Sequence, residues 1–99
     1  MSNPLKATII PSDSFCSVDG VGFDNVDTTS CAAGVHAVQW YGTYGEVEIC
    51  DPVTGKAERV DQIDDLIDYQ AVFTSYWAIR NAYEAAQQEQ DEEQTIIEV

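Results

Sequence analysis

The stretch Val35-His36-Ala37-Val38-Gln39-Trp40-Tyr41-Gly42-Thr43-Tyr44-Gly45-Glu46-Val47-Glu48-Ile49, VHAVQWYGTYGEVEI, decides how the chain is read. It holds the only histidine, one of two tryptophans and two of five tyrosines. Drawn as a strand, it places His36, Val38 and Trp40 on one face and Val35, Ala37, Gln39 and Tyr41 on the other. Gly42-Thr43-Tyr44-Gly45 then has the length and glycine content of a hairpin loop. The return strand, Glu46 to Cys50, alternates, with Val47 and Ile49 inward and Glu46 and Glu48 outward. Asp51-Pro52-Val53-Thr54-Gly55-Lys56 is a second turn, in which Pro sets φ and Gly supplies a positive φ. Ala57 to Val60 returns as a third strand. The expected unit is an antiparallel meander over 35–41, 46–50 and 57–60 with one solvated face.

Upstream, Ala7-Thr8-Ile9-Ile10 reads as a short strand stopped by Pro11. Asp19-Gly20-Val21-Gly22 is a turn signal, so Phe15–Val18 and Val21–Phe23 form a candidate hairpin. Asp27 to Ser30 is irregular or a capping turn that leads into a bend at Ala32-Ala33-Gly34. Downstream, residues 61–99 contain no Gly or Pro and are rich in Ala, Gln, Glu and Asp. Ile63, Leu66, Ile67, Val72, Phe73, Tyr76, Trp77, Ile79, Arg80 and Tyr83 follow a helical spacing. Asp61, Asp64, Asp65 and Asp68 favour a helix N-terminus, where carboxylates meet unpaired N–H groups. A short turn at 62–67 followed by a main helix from about Asp68 is preferred to one helix from Asp61. The last residues, Thr95 to Val99, are apolar and β-branched. They read as a short tail that folds back on the body, or as a strand added to a partner's sheet.

Taken together, the pattern is one domain over 1–99 of α+β class. A β part spans 7–60, a helical part 62–93 and an apolar tail 95–99. The β part forms an antiparallel sheet of about three to five strands, crossed by one long C-terminal helix. Trp40, Phe73 and Trp77 are the expected core aromatics, buried against Val38, Val47 and Ile49. Tyr44, at a hairpin tip, has no place in such a core.

Charge is the compositional outlier: 18 Asp and Glu against 4 Lys and Arg, a formal net charge of −14. Nucleic acid and anionic membranes both need basic surface, so neither is an expected partner. A soluble self-repelling particle, a partner for a basic protein and a mimic of DNA's own charge remain open. Cys16, Cys31 and Cys50 are odd in number and lack a CxxC spacing, and so read as reduced, mostly buried thiols, with one bridged pair left open. The start, MSNPLKATII, has no apolar run of signal-peptide length, and no stretch approaches the ~20 apolar residues of a membrane span. Export by the usual route is not expected.

Catalytic, metal and cofactor chemistry find little support. His36 shares a face with Val38 and Trp40 and reads as packing rather than as a base, although a Cys–His pair is possible in principle. One His and three scattered Cys lack zinc spacing. Asp19-Gly20-Val21-Gly22-Phe23-Asp24 lacks the ligand order of a calcium loop, and its glycines lack the dinucleotide pattern. No catalytic residue, metal or cofactor is assigned. Binding candidates stand out instead. Tyr41 and Tyr44 are exposed aromatics beside glycines. Glu46 and Glu48 share a strand face that Glu58 would join, with Arg59 turned away. Glu84, Glu89, Asp91, Glu92 and Glu93 lie on a helical stretch without Lys or Arg.

The motifs Ile10–Asp13, Val18–Gly20, Val35–Tyr41 and Gly45–Glu48, with Trp77, Ala78, Ala82, Ala85 and Ala86 in the final helix, resemble small acidic proteins encoded among the tail and fibre genes of tailed bacteriophages. The likeness covers about residues 8–86, and its most specific part is His36 to Tyr41. It implies a non-enzymatic tail-associated virion component or a tail or fibre assembly factor, found in the virion or in the host cytoplasm during assembly. Expected partners are other phage structural proteins of the tail or fibre, or a basic protein surface, with room for a homo-oligomer. The alternative is an acidic DNA-mimic inhibitor of a host nucleic-acid-binding protein.

Overall fold

The computed structural model describes residues 6–98, and side chains over 6–88. The strands are β1 (Ala7–Ile10), β2 (Phe15–Val18), β3 (Val21–Phe23), β4 (Val35–Trp40), β5 (Gly45–Cys50) and β6 (Ala57–Ile63). One helix, α1 (Gln70–Glu98), follows, and single 3-10 turns occupy Pro11–Asp13 and Ile67–Tyr69. The α+β class is the expected one, but the sheet has six strands rather than three to five, in the order β3-β2-β1-β4-β5-β6. Every neighbouring pair is antiparallel. Two meanders, β1–β2–β3 and β4–β5–β6, are fused where Ile9 pairs with Val38 and Ala7 with Trp40. That seam joins residues far apart in sequence, so no local pattern announces it.

Local chemistry sets the strand ends. Asp19 and Gly20 both have positive φ, 49° and 89°, the geometry of the two-residue turn that matches strand twist. Asp19 also ties the turn to the start of β1: its carboxylate accepts from the Lys6 N–H at 2.8 Å, and its own N–H donates to the Lys6 carbonyl at 2.9 Å. The long connection from β3 to β4 crosses the far end of β1 and β2. Val26 plugs the core there, and its N–H donates to the Ser14 carbonyl. The buried Thr28 hydroxyl donates to the Pro11 carbonyl at 3.1 Å. Asp27 accepts from the N–H and hydroxyl of Thr29 in an irregular turn, and its N–H donates to Ser75 Oγ on α1.

Directly paired residues share a face. Ala7, Ile9, Cys16, Val18, Val38, Trp40 and Val47 therefore form one buried face. The opposite face carries Thr8, Ser17, Gln39, Glu46 and Glu48, with the Thr8 hydroxyl donating to Gln39 Oε1 at 2.8 Å. The expected alternation in β4 breaks at one point. Val35 pairs with Ile49 but Ala37 pairs with Glu48, so His36 is an extra residue in a bulge. The bulge turns His36 outward, where it is exposed, and brings Val35 onto the core side with Ile49. The shared face of His36, Val38 and Trp40 is thereby corrected.

The third strand of the second meander runs beyond Val60 to Ile63, so the helical part does not start at 62. Ile63 lies opposite Gly45, and its Cγ1 stands 3.2 Å from where a Gly45 Cβ would be. The absent side chain of Gly45 lets the Gln39 carbonyl, the Trp40 ring and Ile63 all close in at that point. Asp61 belongs to β6, and Asp65 accepts from the Ile67 N–H at the 3-10 turn. No acidic residue occupies the first turn of α1. At its other end α1 runs to Glu98, with no Gly or Pro to stop it, rather than giving way to a strand-like tail. Val99 and the side chains of 89–98 lie outside the described residues.

Trp40 is a core residue, 3% exposed. Phe73 and Trp77 are partly buried and pack against the core, whereas Val72 and Tyr76 are the helix residues with no exposure. The backbone of α1 lies closest to β2 and β3 in the sheet, and Val72 and Tyr76, with Phe73 and Trp77 beside them, join one core cluster with Val38, Trp40 and Val47. Tyr76 explains the placement. Its hydroxyl donates to the Val21 carbonyl at 2.6 Å and accepts from Arg80 Nη1 at 3.2 Å. Its ring meets Phe23 and Trp77 edge-on, at 5.8 and 5.3 Å between centroids, and Phe23 also meets Tyr83.

Tyr76→Phe leaves the Val21 carbonyl and Arg80 without that hydroxyl while keeping the ring. The expected loss is about 1–3 kcal/mol in urea unfolding followed by tryptophan fluorescence. Tyr83→Phe, at an exposed position, is expected to stay within about 0.5 kcal/mol of the parent. Equal stabilities for the parent and Tyr76→Phe would contradict the anchoring role.

Candidate functional site

Both hairpin turns, Asp19-Gly20 and Tyr41 to Tyr44, lie at one end of the sheet, because Ala7 pairs with Val18 on one side and with Trp40 on the other. β4 ends at Trp40, so Tyr41 is a turn residue and not part of the strand. The Tyr41 N–H donates to the Tyr44 carbonyl at 2.8 Å, and Gly42 takes a φ of 107° that closes the turn. The two rings meet at 5.2 Å between centroids, tilted by 44°. Tyr41 is 45% and Tyr44 41% exposed, so each ring shelters part of the other and leaves the rest to solvent. Sequence reasoning marked both residues; their ring contact depends on the turn geometry, which spacing alone does not give.

Beside them, Lys6, Asp19, Gly20, Tyr41, Gly42 and Thr43 line a cleft of about 600 Å³. The volume is that of a small-molecule pocket, but the cleft is open and has few walls. That shape suits a segment of another protein better than an enclosed ligand.

Glu46 and Glu48 share the open sheet face as expected, Glu46 opposite Gln39 and Gln62, Glu48 opposite Ala37 and Val60. Glu58 does not join them. Ile49 pairs with Arg59 and Cys50 with Ala57, which leaves Glu58 as the extra residue of a bulge, and its carboxylate reaches Arg59 Nη1 at 3.7 Å. Arg59 faces the other way, as expected, and binds Asp61 with Nε at 3.0 and 3.2 Å from the two carboxylate oxygens.

Glu84 is already engaged within the chain. Its carboxylate accepts from Arg80 Nε at 3.0 Å, a pair one helical turn apart. The Arg80 guanidinium sits 4.9 Å from the centre of the Trp77 ring. The hydrogen bond to Glu84, above all, holds the Arg80 pKa above its ordinary value. The sequence pattern placed Arg80 on the helix without giving it a partner, although the four-residue spacing to Glu84 was a readable signal. The side chains of Glu89, Asp91, Glu92 and Glu93 lie outside those described, on the helical backbone that continues from Gln88.

Cys16 is buried, Cys31 and Cys50 are partly buried, and His36 is exposed at its bulge, so its expected packing role is not what the structure shows. All three thiols are free. Burial, helped by the neighbouring Cys31, pushes the Cys16 thiol up to about 12. Burial also raises Cys31, and burial with Cys31 and Asp68 nearby raises Tyr69. The thiolate is the nucleophile, so these shifts run against reactivity. Among the described residues, no three His, Cys, Asp or Glu side chains gather in a way that could hold a metal ion. No helix among them is long and apolar enough to cross a membrane.

Comparison with family models, with curated proteins and with solved structures returns no match to this chain.

The Cys16 shift predicts two outcomes. Cys16 is fully buried and its thiol is held well above the ordinary range, so iodoacetamide should leave it unmodified in the folded protein and label it in urea, as read by peptide mass spectrometry. The folded pKa lies above the unfolded one, near 9, so the stabilising contribution is complete below about pH 9 and is lost as pH rises towards about 12. Cys16→Ala should flatten that alkaline decline in stability. Rapid labelling of native Cys16 would contradict its placement.

Proposed function

We propose that this protein is a non-enzymatic binding component of a tailed bacteriophage, either a tail-associated virion protein or a tail or fibre assembly factor, and that it acts through the Tyr41–Tyr44 tip. The tip carries the reading: two half-exposed tyrosines, ring against ring, at the fixed end of two hairpins and beside an open cleft. Tyrosine supplies large contact area at low conformational cost, and for that reason it anchors protein interfaces. The phage assignment rests on the motif likeness centred on His36 to Tyr41. The inert placement of Cys16 favours binding over nucleophilic catalysis.

In this account the acidic surface sets approach and the tip sets fit. Glu46 and Glu48, near the tip on the open face, complement a basic rim on the partner, which speeds encounter more than it adds affinity. The partner is another phage structural protein of the tail or fibre, met in the host cytoplasm during assembly or in the virion itself.

Mass spectrometry of purified particles is the test. A virion component appears at fixed stoichiometry; an assembly factor is absent from particles but co-purifies from infected cells with a tail or fibre protein. In either case Tyr44→Ala is expected to weaken the contact by about tenfold or more, with the fold unchanged because the ring is exposed. Capture by a basic nucleic-acid-binding host protein instead, lost as salt rises and indifferent to Tyr44, would replace this reading with the acidic-mimic one.

A further inference from the structure

The two edges of the sheet are finished differently. β3 is three residues long, too short to template a long added strand. β6 is seven residues long, pairs with β5 on one side and ends the sheet on the other. Six of its residues are exposed, and Val60 is 58% exposed. A long bare edge is a template for a further strand unless charge, Pro or a bulge blunts it. Here the bulge at Glu58 sits at the start, and Arg59 to Ile63 runs in regular register with β5.

We infer that β6 is a self-association edge, on which two copies of the chain pair antiparallel about a twofold axis through Val60. The register follows from the residues. Alternate residues of an edge strand point their N–H and C=O outward, so opposed residues must be of like parity and the axis must pass through a residue. An axis through Arg59 sets two guanidiniums face to face, one through Asp61 sets two carboxylates face to face, and one through Glu58 does so at the bulge. An axis through Gln62 puts Asp61 against an isoleucine. Only the axis through Val60 makes the sequence AERVDQI complementary to its own reverse. Val60 meets Val60 and Arg59 meets Asp61 of the second copy in both directions, within the regular part of the strand.

Within one chain Arg59 already holds Asp61 on the same face. Pairing adds the second copy's Asp61 and Arg59 and gives four alternating charges across the seam, opposite charges directly opposed being the favourable cross-strand arrangement. The edge also suits a chain of net charge −14. Of four cationic residues, Arg59 lies in β6 and Lys56 immediately precedes it, so this edge is locally the least repulsive place for two copies to meet. The resulting sheet is continuous, and the two tyrosine tips, each near its own Ile63, stand at opposite ends of the seam, with the Ile63 residues about 20 Å apart.

Sedimentation equilibrium of the full chain from about 1 μM to 1 mM tests this directly. A concentration-dependent monomer–dimer equilibrium is expected, tighter at ~0.15 M salt than at ~0.01 M because screening relieves the net repulsion. Arg59→Asp and Asp61→Arg should each weaken the dimer about tenfold or more, and the double exchange, which restores opposite charges across the axis, should recover the parent value within a few-fold. Val60→Lys opposes two ammonium groups in the dimer but faces Glu48 within the chain, so it should abolish pairing with the monomer's circular dichroism unchanged. A chain that stays monomeric to 1 mM, as it would if this edge served another protein's strand, overturns the inference. So does a double exchange that remains as weak as its single variants, or a dimer that Val60→Lys leaves intact.

Discussion

The contact on which the architecture depends is the one Tyr76 makes with β3. Its side chain is wholly removed from solvent, and its hydroxyl is satisfied on both sides, by the Val21 carbonyl and by Arg80. A buried hydroxyl left unpaired costs on the order of 1–3 kcal/mol, so the bond fixes how α1 is rotated and how far it is advanced along the sheet. Phe23 and Trp77 hold the ring from two sides, and Arg80 closes the arrangement from the solvent side by stacking on Trp77 and binding Glu84. Most of the stability of a polar helix comes from packing of this kind rather than from propensity. The consequence reaches across the molecule. By settling closest to β2 and β3, the helix leaves the β6 edge and the double-hairpin end exposed.

Much of the fold was legible where chemistry is local. The Asp19-Gly20 turn, the Pro11 stop after Ile10, the alternation of β5 and the Gly- and Pro-free helix all act within a few residues. What escaped needed partners distant in sequence. The fusion of β1 to β4 depends on Ile9 finding Val38, and the extension of β6 brings Ile63 opposite Gly45. The bulge at His36 reverses the phase of a strand whose residues alternate cleanly on paper. On the helix, Tyr76 and Trp77 are neighbours of similar size; the choice of Tyr76 as the buried one turns on a hydroxyl partner in β3 that no helical pattern contains. The site divides in the same way. Exposure of Tyr44 follows from a tip position, whereas the pairing of Tyr41 with Tyr44 needs the turn that removes Tyr41 from β4.

Charge and shape have separate roles in the account. With 18 acidic and 4 basic residues, the surface field is negative at a distance. Arg59 and Arg80 are committed to pairs with Asp61 and Glu84, and both pairs sit where the structure needs local neutrality, beside the free edge and beside the helix anchor. The tyrosine pair lies on the β4–β5 turn, at the end of the sheet where the Asp19-Gly20 turn also stands.

The central claim, that α1 is held to the sheet through Tyr76 and β3, is tested most directly by hydrogen–deuterium exchange along the full chain. Docking through Tyr76 predicts that amides of Val72 to Arg80 and of β3 exchange slowly and together, opening as one unit, while those of Asn81 to Gln88, exposed throughout, exchange far faster. Uniform exchange along the whole of α1, or a β3 that opens freely while Val72 to Arg80 stay protected, would contradict it.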